Sequence, residues 1–250
     1  MTGRIPAHVN VEEAFNEFVK EFGGELVSEL VGKNLTFDNA DYLFRNEAVV
    51  AELKCLEKDT FRAEEHKRKL NELYKKWLRE GTIKPLGFGR FVINTQDLPL
   101  KCQHDVANLV KPPVERIVKK ASNQIKQTKA HFSLPHAKGL LLLANDGNYS
   151  LEADAVMYTL HRILKTQYPS INSVVYFTVN MDASMPGVDR DMLVWVNANR
   201  DLVEEVPKDF MARLGDGWMK FFARKIGENI PKIVIDDNER LQEIKHIRRS

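Results

Sequence analysis

Cysteine is scarce here. Cys55 and Cys102 are the only two among 250 residues, and no Cys-x-x-Cys or Cys/His spacing accompanies them. That argues against a structural zinc site and for a reduced, intracellular chain, with Cys55 serving as a small core residue. An excess of one charge is missing too. Thirty-seven basic against 35 acidic residues leave a formal net charge of +2, so affinity for nucleic acid must come from local clustering. Long apolar runs are absent: the longest, Gly139-Leu140-Leu141-Leu142-Leu143-Ala144, is far too short to span a bilayer. The N-terminus has no apolar signal core. A soluble, cytoplasmic protein is the expectation. The seven histidines do not cluster at ligand spacing, and neither a Gly-x-Ser-x-Gly elbow nor a phosphate-binding P-loop occurs. Without internal repeats or low-complexity linkers, residues 1–250 read as one domain.

What is present is enough apolar material for a sizeable core, 43% of residues. Asn10 followed by Glu12 and Glu13 predicts a capped helix start, with Ala14, Phe15, Phe18, Val19 and Phe22 as its apolar stripe. After Gly23-Gly24, Leu26, Leu30 and Val31 suggest a second short helix. Residues 41–44 and 48–56 read as a β-hairpin around Arg45-Asn46-Glu47. Residues 58–80 form a charged helix ending at Gly81, and residues 87–94 a strand. Pro112-Pro113 is expected to open a helix over 114–130, and 139–144 to form a fully buried strand. Ser150 would cap a helix reaching about residue 167. Strands follow at 174–179 and 192–196, joined by a loop at Pro186-Gly187. Pro207 opens a last helix carrying Phe210, Met211, Leu214, Trp218, Phe221 and Phe222, and the basic tail 245–250 is expected to fray. The order predicts an α/β fold with a mixed sheet.

The hairpin raises the chemical question. Glu52 and Lys54, two apart on a strand, project to one side with Val50, while Ala51, Leu53 and Cys55 face the other way. On a solvated face such a pair is worth little. Here apolar residues flank it on both sides, where unpaired charge is expensive. Folding the hairpin brings Asp41 beside Glu52. Two carboxylates that close share a proton unless a cation lies between them. Oxygen ligands of this kind suit Mg2+ or Mn2+. Lys54 would then orient a water near the ion and stabilise negative charge on a phosphate. Asp38 competes with Asp41 for this role; Asp41 is preferred because Tyr42-Leu43-Phe44 follows it directly.

Asp41 with Glu52-Leu53-Lys54 resembles the catalytic signature of the PD-(D/E)XK nuclease superfamily. The resemblance covers roughly residues 11–144, and Ala40 stands where the family's motif has proline. It implies a restriction-endonuclease-like αβββαβ core with a mixed sheet over 11–146, and 147–250 as a C-terminal α/β extension packed on the same core. It implies Asp41, Glu52 and the Leu53 main-chain carbonyl as ligands of Mg2+ or Mn2+, and Lys54 as the residue that assists the attacking water. Such proteins often carry a polar residue on the helix after the third strand; Gln124 is the match here, supporting the lysine or the phosphate. First-helix acids sometimes join the site, and Glu13, Glu17, Glu25 and Glu29 are the candidates.

Basic residues cluster twice. In residues 58–80 they are mixed with Glu64, Glu65, Glu72 and Glu80, which suits a solvated helix face. On the second helix, Lys119, Lys120 and Lys126 are opposed by little acid beyond Glu115 and can track phosphates. Gln124 also reads as ordinary helix surface. The expectation is therefore a Mg2+-dependent nuclease hydrolysing phosphodiester bonds of DNA through a metal-activated water. Residues after Asp146 would supply substrate selection or a homodimer surface. Two alternatives stand beside it: a nuclease-like fold that only binds nucleic acid or a protein, and an unrelated α/β enzyme centred on Asn145-Asp146-Gly147.

Overall fold

The structure is a computed structural model and describes residues 8–32, 38–56, 64–85, 97–201, 203–230, 234 and 238–247. The strand expected over 87–94 lies outside the described residues. Helix α1, Val11–Phe22, begins where the Asn10 side chain accepts from Glu13 N at 3.2 Å. It ends at Gly23, whose φ of 94° is the left-handed conformation that favours glycine at this position. A two-residue strand, β1 (Glu25–Leu26), precedes the short helix α2 (Val27–Leu30). The expected second helix is thus half strand, because Glu25 and Leu26 pair with the hairpin through Glu25↔Leu43 and Leu26↔Tyr42. Strands β2 (Tyr42–Phe44) and β3 (Val49–Leu56) are the expected hairpin.

Helix α3, Glu64–Arg79, carries the charged segment, with Trp77 buried and its indole N–H donating to Asp105 at 2.9 Å. Helix α4 runs from Leu100 to His131 and passes through Pro112 and Pro113. Sequence reasoning opened a helix at this pair. Two prolines withdraw the N–H groups that would bond the carbonyls of residues 108 and 109, a cost of roughly 3 kcal/mol or more for each. The helix continues because Val110, Val114, Val118, Ala121 and Ile125 keep helical spacing through the break and are all buried against the sheet.

Strand β4, Lys138–Asn145, lies at the centre of the main sheet. Helix α5 (Ala153–Leu164) begins three residues later than Ser150, with Glu152 at the cap position; residues 149–150 are a turn. Strands β5 (Ser173–Thr178), β6 (Asp182–Ser184) and β7 (Trp195–Asn199) follow. Of the expected strand at 192–196, Met192 makes only a bridge to Ala183, and the pairing with β5 starts at Trp195. Helix α6, Lys208–Ile226, starts after Pro207 as expected. A 3-10 helix (Asn238–Glu243) leads into β8 (Lys245–Ile247). The tail is therefore tied down as far as Ile247, since β8 pairs antiparallel with β6.

The main sheet has six strands in the order β1-β2-β3-β4-β5-β7. Its first three strands form an antiparallel meander, β3, β4 and β5 are parallel, and β7 closes the edge antiparallel. This is an α/β fold with a mixed sheet, and residues beyond 146 extend that same sheet through β5 and β7. Helices cover both faces. Leu141 and Leu143 pack with α4 and α5, while Leu140 and Leu142 pack with α1 and α6. Burial on both sides explains why β4 is a continuous apolar run rather than an alternating one. Gly139 opens that run because the chain crosses close by: a Cβ there would lie 1.8 Å from the Ser170 carbonyl oxygen. No helix among the described residues is long and apolar enough to cross a membrane.

Candidate metal and phosphate site

The register of the hairpin assembles the acidic pair. Tyr42 lies opposite Ala51, Leu43 opposite Val50 and Phe44 opposite Val49. One step beyond the Tyr42–Ala51 pair, the same register sets Asp41 against Glu52. Leu43 belongs to the layer beneath α4, and residue 41 shares its side by strand alternation. Val50 belongs to that layer as well, so Glu52 and Lys54 point the same way. Ala51 and Leu53 pack in the opposite layer, with Cys55 half-buried against it.

Each group has an identified environment. Asp41 Oδ2 accepts from Leu53 N at 2.8 Å, so its side chain continues the ladder where β2 stops. Its main-chain carbonyl accepts from Val27 N at 2.9 Å. Glu52 is wholly buried; one carboxylate oxygen accepts from the Lys54 ammonium, and the other, Oε2, has no hydrogen-bond partner. A buried carboxylate oxygen without a partner is costly. The Leu53 N–H points toward Asp41, and a strand residue directs its N–H and C=O to the same neighbour, so the Leu53 carbonyl faces that edge too.

Burial raises the pKa of both carboxyls. For Glu52, desolvation and the Asp41 charge outweigh the attraction of Lys54 and push it up to about 8. Asp41 is raised chiefly by desolvation, opposed by the Leu53 N–H and by Lys54. At neutral pH the pair therefore holds a proton that a divalent cation would displace. Two adjacent carboxyls, with no protein donor on Glu52 Oε2 other than a proton shared with Asp41 and with the Leu53 carbonyl on the same strand edge, fit Mg2+ or Mn2+, which need only one or two carboxylates and keep several waters. Among the described residues no group of three or more His, Cys, Asp and Glu has metal-binding geometry. A richer, zinc-type ligand set thus finds no support there.

Gln124 sits on the α4 face turned toward this side of the sheet, but its contact differs from expectation. Its Nε2 donates to the Asn39 carbonyl at 2.8 Å, while Oε1 is buried without a partner. Because the Asn39 oxygen can only accept, the amide orientation is dictated, and the spare group of Gln124 is an acceptor. An acceptor repels phosphate oxygens, so direct phosphate contact by that atom is ruled out; a donor such as water or an ammonium is what it can receive. Lys119, Lys120 and Lys126 are exposed on the outer side of the same helix.

The acid of α1 that bears on the pair is Glu12, whose charge contributes to the raised pKa of Asp41 and of Tyr42. Sequence reasoning named Glu13, Glu17, Glu25 and Glu29 instead. Glu17 pairs with Lys225, Glu25 with Arg45 and Glu29 with Lys20, and Glu13 is exposed. A signal existed: Glu12 lies one turn before Asn16, on the rim of the apolar stripe, and Asn16 accepts from Tyr42 at 2.9 Å. It becomes readable only once α1 is docked beside β2.

The Asn145-Asp146-Gly147 segment has structural partners. Asn145 ties its own turn by bonds to Asn148 and to the Tyr176 hydroxyl. Asp146 accepts from Asn180 at 2.9 Å, with His8 at 3.4 Å. A cavity of about 370 Å3 lies nearby, lined by His8, Asn180, Met181, Asp182, Asp191 and Phe222 among others. Asp182 and Asp191 flank the loop at Pro186-Gly187 and border this cavity. Comparison of the chain with protein-family models, with characterised proteins and with solved structures finds no match.

Proposed function

We propose that the chain is a divalent-metal-dependent nuclease that hydrolyses phosphodiester bonds of DNA, with a restriction-endonuclease-like core of the PD-(D/E)XK type. The observation that carries this reading is the Asp41–Glu52 pair: a wholly buried carboxyl and a half-buried one opposed across a hairpin, with one unpartnered oxygen on Glu52 and Lys54 alongside. The element order supports it. With the short α2 and the charged α3 as insertions, helix α1, the meander β1–β3, helix α4 and strand β4 follow the αβββαβ pattern, with Asp41 immediately before the second strand and Glu52 on the third.

In this reading Asp41, Glu52 and the Leu53 carbonyl would hold Mg2+ or Mn2+. The bound ion supplies Lewis acidity and a lowered pKa for water. Lys54, paired with Glu52 here, would orient the attacking water through its ammonium and stabilise charge growing on the phosphate. Gln124 Oε1 accepts from that ammonium or from the water. The Lys119, Lys120 and Lys126 ridge grips backbone phosphates without reading sequence. Deprotonation of the acid pair must accompany metal binding, so affinity for Mn2+ should tighten as pH rises toward about 8. Titration calorimetry across that range tests the point.

The decisive assay incubates plasmid and single-stranded DNA with Mg2+ or Mn2+, beside Glu52→Gln and Lys54→Ala. Metal-dependent cleavage lost in both variants is the expected result. Binding that leaves DNA intact would favour the non-catalytic alternative. Metal-independent turnover of a small molecule would move attention to the cavity beside Asp146.

A further inference from the structure

We propose that Thr128 is a positioning residue for the Asp41–Glu52 pair, acting through a clamp that α4 places on the Asn39–Ala40 peptide. The inference rests on the metal-dependent reading above and adds a residue that no sequence motif marks.

The clamp consists of two bonds to a single peptide unit. Gln124 Nε2 donates to the Asn39 carbonyl at 2.8 Å, and Thr128 Oγ1 accepts from the Ala40 N–H at 2.7 Å. Carbonyl and N–H belong to the same planar group, so holding both ends fixes the rotation of that plane. Gln124 and Thr128 lie one helical turn apart, the spacing at which two side chains share a face. Ile125, between them, anchors that face in the core. Thr128 and Ala40 are wholly buried and Gln124 is 8% exposed, so water does not readily stand in for either partner.

The next residue is Asp41. Its carbonyl is taken by Val27 N and its carboxylate by Leu53 N, and the ladder pairing of β2 with β3 starts only at Tyr42, so the clamped plane fixes the chain immediately ahead of Asp41, where that ladder has not yet begun. The ion requires its two carboxylates at closely defined positions. A threonine that touches neither ligand directly still sets one of them, in the manner of groups that orient metal ligands elsewhere. Asn39 contributes locally by donating from its amide to the Ala40 carbonyl. Both faces of the lead-in are thereby satisfied.

Thr128→Val keeps the shape and removes the acceptor, leaving the Ala40 N–H unpaired in a dry site. Thr128→Ser restores the oxygen. Mn2+ titration of the full chain by calorimetry, well below the melting temperature, should show wild-type binding, about 10–100-fold weaker binding in Thr128→Val and recovery to within about threefold in Thr128→Ser. The Mg2+ concentration for half-maximal cleavage should shift in parallel, with the rate at saturating Mg2+ less affected. A purely structural threonine would lower the melting temperature while the folded protein kept its Mn2+ affinity, and that result overturns the clamp. If Thr128→Val does not fold, Gln124→Met removes the other half of the clamp and carries the same test, unchanged affinity again counting against it. Failure of the wild-type chain to bind Mn2+ at all would instead remove the metal reading and this inference together.

Discussion

The two faces of β3 are built from alternate residues of the same eight and do opposite things. Ala51 and Leu53 enter a layer in which Phe15, Phe18, Tyr42, Phe44, Phe177 and Trp218 pack against one another. Trp218 is fully buried, its ring centroid 4.8 Å from Phe15 and 5.3 Å from Phe222. Glu52 and Lys54 enter the other layer, where Gln124, Thr128, Asn145, Tyr176 and His246 place polar atoms among valines and leucines. The aromatic side can bury large area with few polar obligations. The α4 side carries groups whose desolvation opposes folding: Glu52 Oε2, Gln124 Oε1 and His246 Nδ1 are left without hydrogen-bond partners there, against the indole nitrogens of Trp195 and Trp218 on the aromatic side. Apolar burial is concentrated on one face, and the proposed chemistry would be carried at a cost on the other.

Substitutions on the two faces should separate these properties, and the largest effect is expected at Lys54. Lys54→Ala and Glu52→Gln should each lower metal-dependent cleavage by about 10^2–10^3-fold or more, with circular dichroism and melting temperature largely retained. Parallel loss of folding in both would merge the two faces into one structural unit. Trp218→Ala should do the reverse. A loss of about 3–5 kcal/mol in denaturant unfolding is expected, with Mn2+ affinity of the remaining folded protein unchanged.

A smaller effect follows from the raised pKa of Glu52. Folded and unfolded chains are both protonated there below the ordinary value of 4.5, and only the folded chain holds the proton up to about 8. This group therefore contributes stability at low pH that is lost as pH rises through that window, with a slope of at most about 1.4 kcal/mol per pH unit. Glu52→Gln should flatten that part of the stability profile, and millimolar Mg2+ should offset the loss in the wild type. A profile identical in wild type and variant would show that Glu52 is not the group holding the proton. The smallest expected effect is on the exposed ridge. Joint replacement of Lys119, Lys120 and Lys126 by Ala should leave melting unchanged, weaken DNA binding at low salt and reduce the slope of log affinity against log salt by about 1 for each lost phosphate contact.

Most of the acidic motif was legible before any coordinates because strand alternation and a short hairpin suffice to bring Asp41 and Glu52 to one side. Local periodicity likewise marked α1, β4 and α6, whose apolar residues recur at the spacing their geometry demands. The failures have a common cause. β1 has two residues and exists only because β2 pairs with it. Helix α4 crosses Pro112-Pro113 because buried valines on both sides outweigh the local signal to stop. Gln124 could be placed on a helix, yet not given its partner, since Asn39 is 85 residues away in sequence.

Periodicity and chemistry along the chain decided which residues face together and which of them carry charge; those properties depend on neighbours two to four positions apart. The charge of Glu12 felt at Asp41, Thr128 on the Ala40 N–H, and the burial that drives the Glu52 pKa upward were decided by the docking of α1 and α4 on the sheet. Contacts between distant segments depend on packing of the whole layer, which short-range pattern does not encode.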